Sequence, residues 1–554
     1  MRVKSIQFLS ILAMMTAVSC GQAGQSSVSG KEGSYIEASS KKGIVETESG
    51  KVGGYVEDGM YIFKGIPYAK AERFMPPHPV EKWDGIRSCR HYGPTAPQAA
   101  RAGYAADEIA FAFDWDDGYA GEDCQRLNIW TPGVNDGKKR PVMVWLHGGG
   151  YSAGSGQELP SYEGTNLAAK GDVVVVSLNH RLNVLGFLDL SAFGEKYAKS
   201  GNAGLLDIVA ALDWVHNNIA NFGGDPSNVT IFGQSGGGGK VSILSATPAA
   251  KGLFHKAIVQ SGSTLRTMES SLSRRIGIAV IEELGIKPSQ LDQLASVSYD
   301  RLLDAGTKAI ARVKEEYIKE GGNAGLLFGW APTVDGAVIP DQPYDGKGPG
   351  QSVDIPMIIG TTLNEFAPSV YAPQLRNLTM EQVAEMAKGT YGEYTSLYID
   401  TFKSVYPHFV PNDIVDYDTM FRLGAVKQAN VKFSQNGAPV WMYIFAWQSP
   451  VLDGSLKSTH CMEIPFVFNN ACVHSSMTGG GDEAVILASR MSEAWINFAR
   501  TGNPNGSGID GVPEWKPYTP SEGATMWWDN TCEIKCNHDK ALLEIAESAG
   551  GRTL

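Results

Sequence analysis

The sequence lacks any basic cluster, and acidic residues outnumber basic ones. Lys and Arg together number 47 against 59 Asp and Glu, which gives a formal net charge of −12 at pH 7. Proteins bind nucleic-acid backbones through clustered positive charge, and an anionic membrane surface repels an acidic chain. We therefore predict no nucleic-acid partner and no contact between the folded body of the protein and a membrane.

Long apolar runs are also missing, except at the N-terminus. The run Ile6–Val18 follows two basic residues and is too short to span a bilayer, which is typical of an export signal. Ala17–Cys20 resembles a bacterial lipobox, with alanine where leucine is usual, and predicts a lipidated Cys20 as the only membrane attachment. The alternative is a secretory signal cut near Ala23. We expect a periplasmic or cell-envelope lipoprotein, or a secreted protein under the alternative.

Cysteine is scarce, and metal-binding and phosphate-binding patterns are missing. Export permits disulfides, but spacing leaves the pairing open. No Cys/His cluster has zinc spacing, and no Gly-rich phosphate loop follows a strand. We therefore predict no metal and no cofactor. Apart from Cys20, the cysteines are Cys89, Cys124, Cys461, Cys472, Cys532 and Cys536.

The chain divides into a signal segment at 1–20, a flexible Gly- and Ser-rich tether at 21–42, and one elaborated domain at 43–554. Alternating apolar residues from Ile44 onward predict an antiparallel meander. Later apolar runs are continuous, as in a parallel sheet that helices cover on both faces. The predicted strands are Val142–Leu146, Val173–Leu178, Val229–Phe232, Ala257–Val259, Ile355–Ile359 and Val440–Phe445.

Two intervals between these strands are too long for simple crossovers. They hold helical patterns, such as 270–284 and 302–319, which we interpret as helical insertions over the site. The last helix is expected at about 484–501. The predicted fold is therefore α/β, with a mostly parallel central sheet flanked by helices.

One stretch indicates the chemistry. The strand Val229–Phe232 leads directly into Gly233-Gln234-Ser235-Gly236-Gly237, and a helix follows. A serine on such a strand–turn–helix is a nucleophile elbow, in which flanking glycines allow the sharp turn. Four glycines at the start of a helix each cost about 1 kcal/mol relative to alanine, so a close backbone approach must require them.

A serine nucleophile needs a base and a group that orients the base. In α/β-hydrolases these follow the serine in the order acid, then histidine. His460 lies in a loop after the Val440–Phe445 strand, and Glu365 lies at the end of the Ile355–Ile359 strand. Three other histidines also follow the elbow and the next strand in the chain, namely His408, His474 and His538.

The loop His147–Gly150 directly follows a buried strand. Glycines there let backbone N–H groups point at a developing alkoxide, together with the N–H of the residue after the serine. We therefore interpret the loop as part of an oxyanion hole.

Taken together, these motifs resemble the carboxylesterase type B family, which includes cholinesterases and bacterial para-nitrobenzyl esterases. The resemblance runs from about Ile44 to the C-terminus and rests on FKGIPYA, GEDCQRLNIWTP, VWLHGGGYSAGS, LNHRLNVLGFL, the elbow segment and HCMEIPFVFNN. It implies an α/β-hydrolase fold and a triad of Ser235, Glu365 and His460. It also implies an oxyanion hole formed by the amides of Gly149, Gly150 and Gly236.

The sequence departs from the family pattern at several positions. Gln234 stands where cholinesterases carry glutamate, and Gly236 where alanine is common. Ala96 replaces a family cysteine that pairs with the one at Cys124, which leaves Cys89 as a possible substitute partner. The resemblance also implies a buried ion pair between Arg73 and Glu122, with a structural rather than a catalytic role.

The expected activity is hydrolysis of small or aromatic uncharged esters through an acyl-enzyme. An amidase or another acyl hydrolase with the same triad is an alternative, since the same groups cleave both bonds. A non-catalytic binding module of this fold is a further alternative, against which the intact triad argues. Trp115 lies near the position of the choline-binding tryptophan of cholinesterases, but we expect it to pack within its loop, with choline binding as the alternative role.

Overall fold

Burial on both faces of the central sheet explains why the apolar runs of its strands are continuous. In Arg140–Leu146, Val142 and Val144 belong to one apolar cluster, whereas Met143 and Trp145 belong to another. Successive side chains of a strand point to opposite faces, so a sheet covered on both faces needs apolar residues at every position. The computed structural model describes residues 35–99, 107–325 and 328–551.

The strands of the described residues are, in chain order, β1 (Ile36–Glu37), β2 (Ile44–Thr47), β3 (Gly50–Gly53), β4 (Tyr55–Glu57), β5 (Met60–Pro67), β6 (Ile86–Ser88), β7 (Arg126–Thr131), β8 (Arg140–Leu146), β9 (Val174–Leu178), β10 (Gly224–Gln234), β11 (Lys256–Gln260), β12 (Met268–Glu269), β13 (Thr333–Val334), β14 (Met357–Thr362), β15 (Val440–Phe445), β16 (Ala524–Trp528) and β17 (Glu533–Cys536).

The α-helices of the same ranges are α1 (Asp107–Phe113), α2 (Thr165–Gly171), α3 (Asn183–Phe187), α4 (Ala203–Asn218), α5 (Gly236–Leu244), α6 (Ser270–Leu284), α7 (Tyr299–Lys319), α8 (Pro368–Tyr371), α9 (Met380–Tyr391), α10 (Thr395–Val405), α11 (Asp413–Asp416), α12 (Met420–Ser434), α13 (Ile464–Val467), α14 (Ser475–Thr478), α15 (Asp482–Thr501) and α16 (Lys540–Ser548).

The main sheet has the order β1-β4-β5-β7-β9-β8-β10-β11-β14-β15-β16-β17. From β9 to β16 all neighbours are parallel, and antiparallel pairs close both edges. All six apolar runs predicted as strands lie in this parallel region, so the mostly parallel α/β-hydrolase sheet is confirmed. Open α/β sheets bind ligands in a crevice at the carboxyl ends of their parallel strands. The C-terminal end of β10, a central strand of the parallel region, lies at this edge of the sheet.

The two long intervals are helical, as predicted. The first holds α6 and α7, and α7 contributes residues to the site cavity. The second holds α8 to α12, and there the apolar residues of α9 and α10 pack with Leu542 and Ile545 of α16. The helix expected at about 484–501 is confirmed as α15, but the expectation that it is the last helix was wrong, because α16 follows it.

The folded part of the chain begins before position 43, because Ile36 and Glu37 already pair with β4. The described residues from Ile36 onward form one compact unit. The predicted signal segment, Cys20 and most of the tether lie outside the described residues. Within the part of the chain that is described, no helix is long and apolar enough to cross a membrane.

The suggested disulfide between Cys89 and Cys124 does not form in this structure. Both are free thiols, and they belong to different apolar clusters, Cys89 beside the main core and Cys124 with Ala96 and Leu182. Burial raises the pKa of Cys89 to about 12 and raises that of Cys124 further, so both thiols stay protonated. The number of residues between Cys89 and Cys124 does not indicate that the two side chains pack in different clusters.

The ion pair between Arg73 and Glu122 is present, with Arg73 Nε donating to Glu122 Oε2 over 2.7 Å. The expectation that the pair is buried was wrong, because the Glu122 side chain is 41% exposed, and a surface pair contributes little stability. A buried ion pair joins Arg181 to Asp207 of α4, where Arg181 Nη2 donates to Asp207 Oδ1 over 2.7 Å. That pair fixes the segment after β9 against α4.

Candidate active site

The elbow serine occupies a backbone conformation that side-chain-bearing residues rarely adopt. Ser235, between β10 and α5, has φ 58° and ψ −126°. Its N–H donates to the carbonyl of Gln260 in β11 over 2.8 Å. A Cβ on Gly237 would lie 1.9 Å from the carbonyl oxygen of Leu146, so only glycine fits there. The strained turn and its close packing support the elbow assigned from the sequence.

The structure brings together the predicted acid and the predicted base. Glu365 is fully buried after β14, and its Oε2 accepts a hydrogen bond from His460 Nδ1. The other carboxylate oxygen, Oε1, accepts the backbone N–H of Thr362 over 2.8 Å. The backbone N–H of His460 also donates to the carbonyl of Glu365 over 2.9 Å. The hydrogen bond to Glu365 keeps a proton on Nδ1 of His460. The other ring nitrogen, Nε2, is then the one that could act as base.

Gln234 contacts the imidazole in a way that the sequence did not predict. Its Nε2 lies 3.4 Å from Nδ1 and 3.3 Å from Nε2 of His460. A group nearly equidistant from both nitrogens lies over the ring face, since in the ring plane it would collide with the carbon between them. Gln234 Oε1 accepts from the Cys461 thiol over 3.1 Å. The ring centroid of Phe366 lies 4.4 Å from that of His460.

Ser235 and His460 open into the same cavity, which has a volume of about 570 Å³. Cavities of this size hold small organic ligands. Most of its described lining is aromatic, aliphatic or glycine. These residues are Ala99, Ile109, Phe113, Trp115, Gly148, Gly149, Gly150, Ser152, Ala153, Glu158, Leu159, Tyr162, Asn183, Gln234, Ser235, Tyr299, Leu303, Thr307, Trp330, Phe366, Tyr371, His460 and Cys461.

The glycine loop after β8 lies against the start of α5. Gly149 and Gly150 have φ of 79° and 62°, a left-handed backbone that favours glycine. A Cβ on Gly236 would lie 2.2–2.5 Å from backbone atoms of Gly150. The backbone N–H groups of the loop and of the elbow are therefore held at one end of the cavity, next to Ser235. Alanine, which is common at position 236 in the family, does not fit this close approach.

Glu365 supplies the negative charge behind the imidazole, and two neighbouring carboxyls respond to it. Burial and then the charge of Glu365 raise the pKa of Glu463 to about 7. Desolvation and then Glu365 likewise raise the pKa of Asp418 to about 7. Carboxyls that share one low-dielectric region cannot all ionise easily, so the charge of Glu365 favours the protonated forms of Glu463 and Asp418.

The other candidate histidines lie outside the cavity. His474 is buried, its Nδ1 lies 2.6 Å from Ser161 Oγ, and burial lowers its pKa to about 4. His538 packs edge-on against Trp527, and burial lowers its pKa to about 4 as well. His408 is exposed in the second insertion. Among the described residues, no group of three or more His, Cys, Asp and Glu side chains could hold a metal ion.

A parallel α/β sheet with a serine elbow, a buried His–Glu pair and a glycine loop defines a serine hydrolase of the α/β-hydrolase fold. The model of the carboxylesterase family matches residues 41–543. The chain is 37% identical over 504 residues to the para-nitrobenzyl esterase of Bacillus subtilis, with 89% of this chain and 96% of the relative covered. The chain belongs to the carboxylesterase family, whose members hydrolyse esters.

Other relatives agree with this assignment. Phenmedipham hydrolase of Pseudarthrobacter oxydans is 34% identical, with 87% of this chain and 94% of the relative covered. Among solved structures, an esterase of Clostridium hathewayi that can hydrolyse aliphatic aromatic polyesters matches with a TM-score of 0.82 at 36% identity. The match covers 93% of this chain and all of that one.

Replacing Gly236 by alanine tests the contact between the elbow and the glycine loop. The added methyl group would displace Gly150, and a displacement of about 1 Å in a catalytic group can reduce the rate by about 100-fold. We expect kcat to fall by roughly that factor while the protein stays folded. Gly389→Ala in α9 is the matched control, because a Cβ there meets nothing within 4 Å. Full kcat in Gly236→Ala, measured with para-nitrophenyl butyrate, would contradict the assigned contact.

Proposed function

We propose that this protein is a serine carboxylic-ester hydrolase that works through an acyl-enzyme, with Ser235, His460 and Glu365 as its triad. The observation that carries the proposal is the buried hydrogen bond between His460 and Glu365 beside a cavity that the elbow serine also lines. This bond keeps a proton on Nδ1, so Nε2 is the nitrogen that receives the proton of the serine hydroxyl.

In the first step, Ser235 Oγ attacks the ester carbonyl carbon and His460 Nε2 takes the hydroxyl proton. The carbonyl oxygen becomes an alkoxide, which the amides of Gly149, Gly150 and Gly236 stabilise through hydrogen bonds. When the C–O bond breaks, His460 returns the proton to the departing alcohol. In the second step, His460 Nε2 takes a proton from water as the water attacks the acyl-serine. The proton then passes to Ser235 Oγ as the carboxylic acid leaves. Glu365 stabilises the imidazolium in both steps.

Ser235→Ala tests the proposed nucleophile. We expect kcat/KM for ester hydrolysis to fall by at least about 10⁴-fold, because no other group can form the acyl-enzyme. Labelling by a fluorophosphonate, located by mass spectrometry, should disappear as well. Ser242→Ala is the control, since Ser242 lies on the same helix and donates to the carbonyl of Gly238 over 3.1 Å. Retention of most activity in Ser235→Ala would exclude Ser235 as the nucleophile.

The lining of the cavity supports small or aromatic uncharged esters as substrates. Its described surface is mostly apolar, and the residue beside the nucleophile is the neutral Gln234. Trp115 stacks on Phe113 with a centroid distance of 4.6 Å, and both rings line the cavity, so they add aromatic surface to it. Glu158 lines the cavity too, and it accepts a hydrogen bond from Tyr162 over 3.4 Å. The named activities of the relatives, on para-nitrobenzyl esters, phenmedipham and aliphatic aromatic polyesters, point the same way.

A substrate series tests this preference. We expect kcat/KM for para-nitrophenyl acetate and butyrate to exceed that for the palmitate ester, acetylcholine and butyrylcholine, because the cavity is small and its walls mostly uncharged. The para-nitroanilide of butyric acid, which has the same acyl and aryl groups as the butyrate ester, tests the amidase alternative in the same assay. Faster turnover of palmitate or of choline esters would contradict the assigned substrate class, and faster turnover of the anilide would favour an amidase.

We also propose that the protein is exported and attached to the cell envelope through a lipid on Cys20. The support is the sequence pattern of Ala17–Cys20 after a short apolar run. Cys20→Ser should abolish incorporation of labelled palmitate and leave the precursor unprocessed or released. A mature wild-type protein that is free of lipid and begins near Gly24 would instead indicate a secretory signal.

A further inference from the structure

Lys240 is a buried cation that the mechanism above does not use. It lies on α5, five residues after Ser235, and is 1% exposed. Its Nζ donates to the backbone carbonyl of His147 over 2.9 Å. A buried ammonium is costly unless its charge and its donors are used, so its presence calls for a function.

The acceptor of this hydrogen bond is the residue directly before the glycine loop. The carbonyl of His147 would lie 2.9 Å from a Cβ on Gly237, so it already touches the elbow helix. Lys240 thus connects α5, which carries the nucleophile at its start, to the peptide from which Gly148, Gly149 and Gly150 continue. The two segments are more than 80 residues apart in sequence, and this side chain links them by a charged hydrogen bond.

We propose that Lys240 is a positioning residue of the oxyanion hole: its ammonium holds the His147 carbonyl and thereby sets the amides of Gly149 and Gly150 for the tetrahedral intermediate. The inference rests on the proposed function. The positive charge behind the loop also favours the negative charge that develops on the substrate oxygen, in a region that excludes water.

The charge of Lys240 changes near neutral pH. Burial, opposed by the charge of Glu158, lowers the pKa of Lys240 to about 7. Burial, Lys240 and Arg181 hold the pKa of His180 well below its ordinary value, so His180 is neutral. Burial raises the pKa of Tyr151, whose ring centroid lies 5.8 Å from Nζ, so its phenol is neutral as well. The fraction of Lys240 that is cationic therefore falls as the pH rises through about 7.

Lys240→Met, which removes the charge and leaves an unbranched side chain only one atom shorter, is the principal test. We expect kcat for para-nitrophenyl butyrate to fall by about tenfold or more, somewhat less than for loss of an oxyanion donor itself. KM should stay within about twofold, because the neutral ester carbonyl depends little on these donors. Affinity for a trifluoromethyl ketone, which forms the tetrahedral adduct, should fall by the same factor as kcat, and the melting temperature should not decrease.

Lys432→Met is the matched control. Lys432 is also 1% exposed and donates to backbone carbonyls, those of Ser352 and Val353, but these carbonyls do not belong to the glycine loop. Its replacement should leave kcat unchanged, which separates the loss of a buried ammonium from the loss of the contact with that loop. Unchanged kcat in Lys240→Met, or a fall in kcat with unchanged ketone affinity, would overturn the proposal for Lys240.

Lys240→Arg provides a second test, which does not depend on how well the methionine variant folds. Arginine stays charged at all pH values of the assay, whereas Lys240 loses its proton. Between about pH 6 and 9, kcat of the wild type should decline relative to that of the arginine variant. Parallel profiles would overturn the inference. Failure of the wild type to hydrolyse esters would instead disprove the proposed function, so the two outcomes are distinguishable.

Discussion

The direct contact between two backbones, the loop after β8 and the first turn of α5, is the constraint on which the site depends. Gly236 touches Gly150, and Gly237 touches the carbonyl of Leu146, at distances that exclude a Cβ. Each glycine costs about 1 kcal/mol of helix stability relative to alanine. In return, the proposed nucleophile and the amides proposed to receive the substrate oxygen are carried by two adjacent elements. Precise positioning of this kind is the main protein contribution to acyl transfer.

Charge is distributed unevenly around this contact. The carboxylate of Glu365 lies behind His460, where it favours the imidazolium, and after burial it is the second cause that raises the pKa of the neighbouring Glu463 to about 7. On the other side, the ammonium of Lys240 lies behind the glycine loop. A negative group behind the base and a positive group behind the oxyanion hole match the charges that develop during the reaction. Gln234, between them, adds an amide without adding charge.

Sequence patterns predicted the sheet well because they reflect burial. Continuous apolar runs predicted the six central strands, and the periodicity of residues 270–284 gave the bounds of α6. The C-terminal elements after α15 were missed. The helix α16 is only nine residues long, and its apolar residues are buried against α10, which lies more than 130 positions earlier. A short helix of this kind is stable only through tertiary packing, so local periodicity is a weak signal for it.

The sequence alone determined the reaction class and the candidate triad, since the elbow, the chain order and the family motifs are properties of local segments. It indicated Ser235, Glu365 and His460 without any geometry. Only the tertiary structure decided that Cys89 and Cys124 lie in different apolar clusters and that Gln234 lies over the His460 ring. It also decided that Lys240 donates to the carbonyl of His147. Each of these relations joins segments far apart in the chain, and only packing of the whole core brings such segments together.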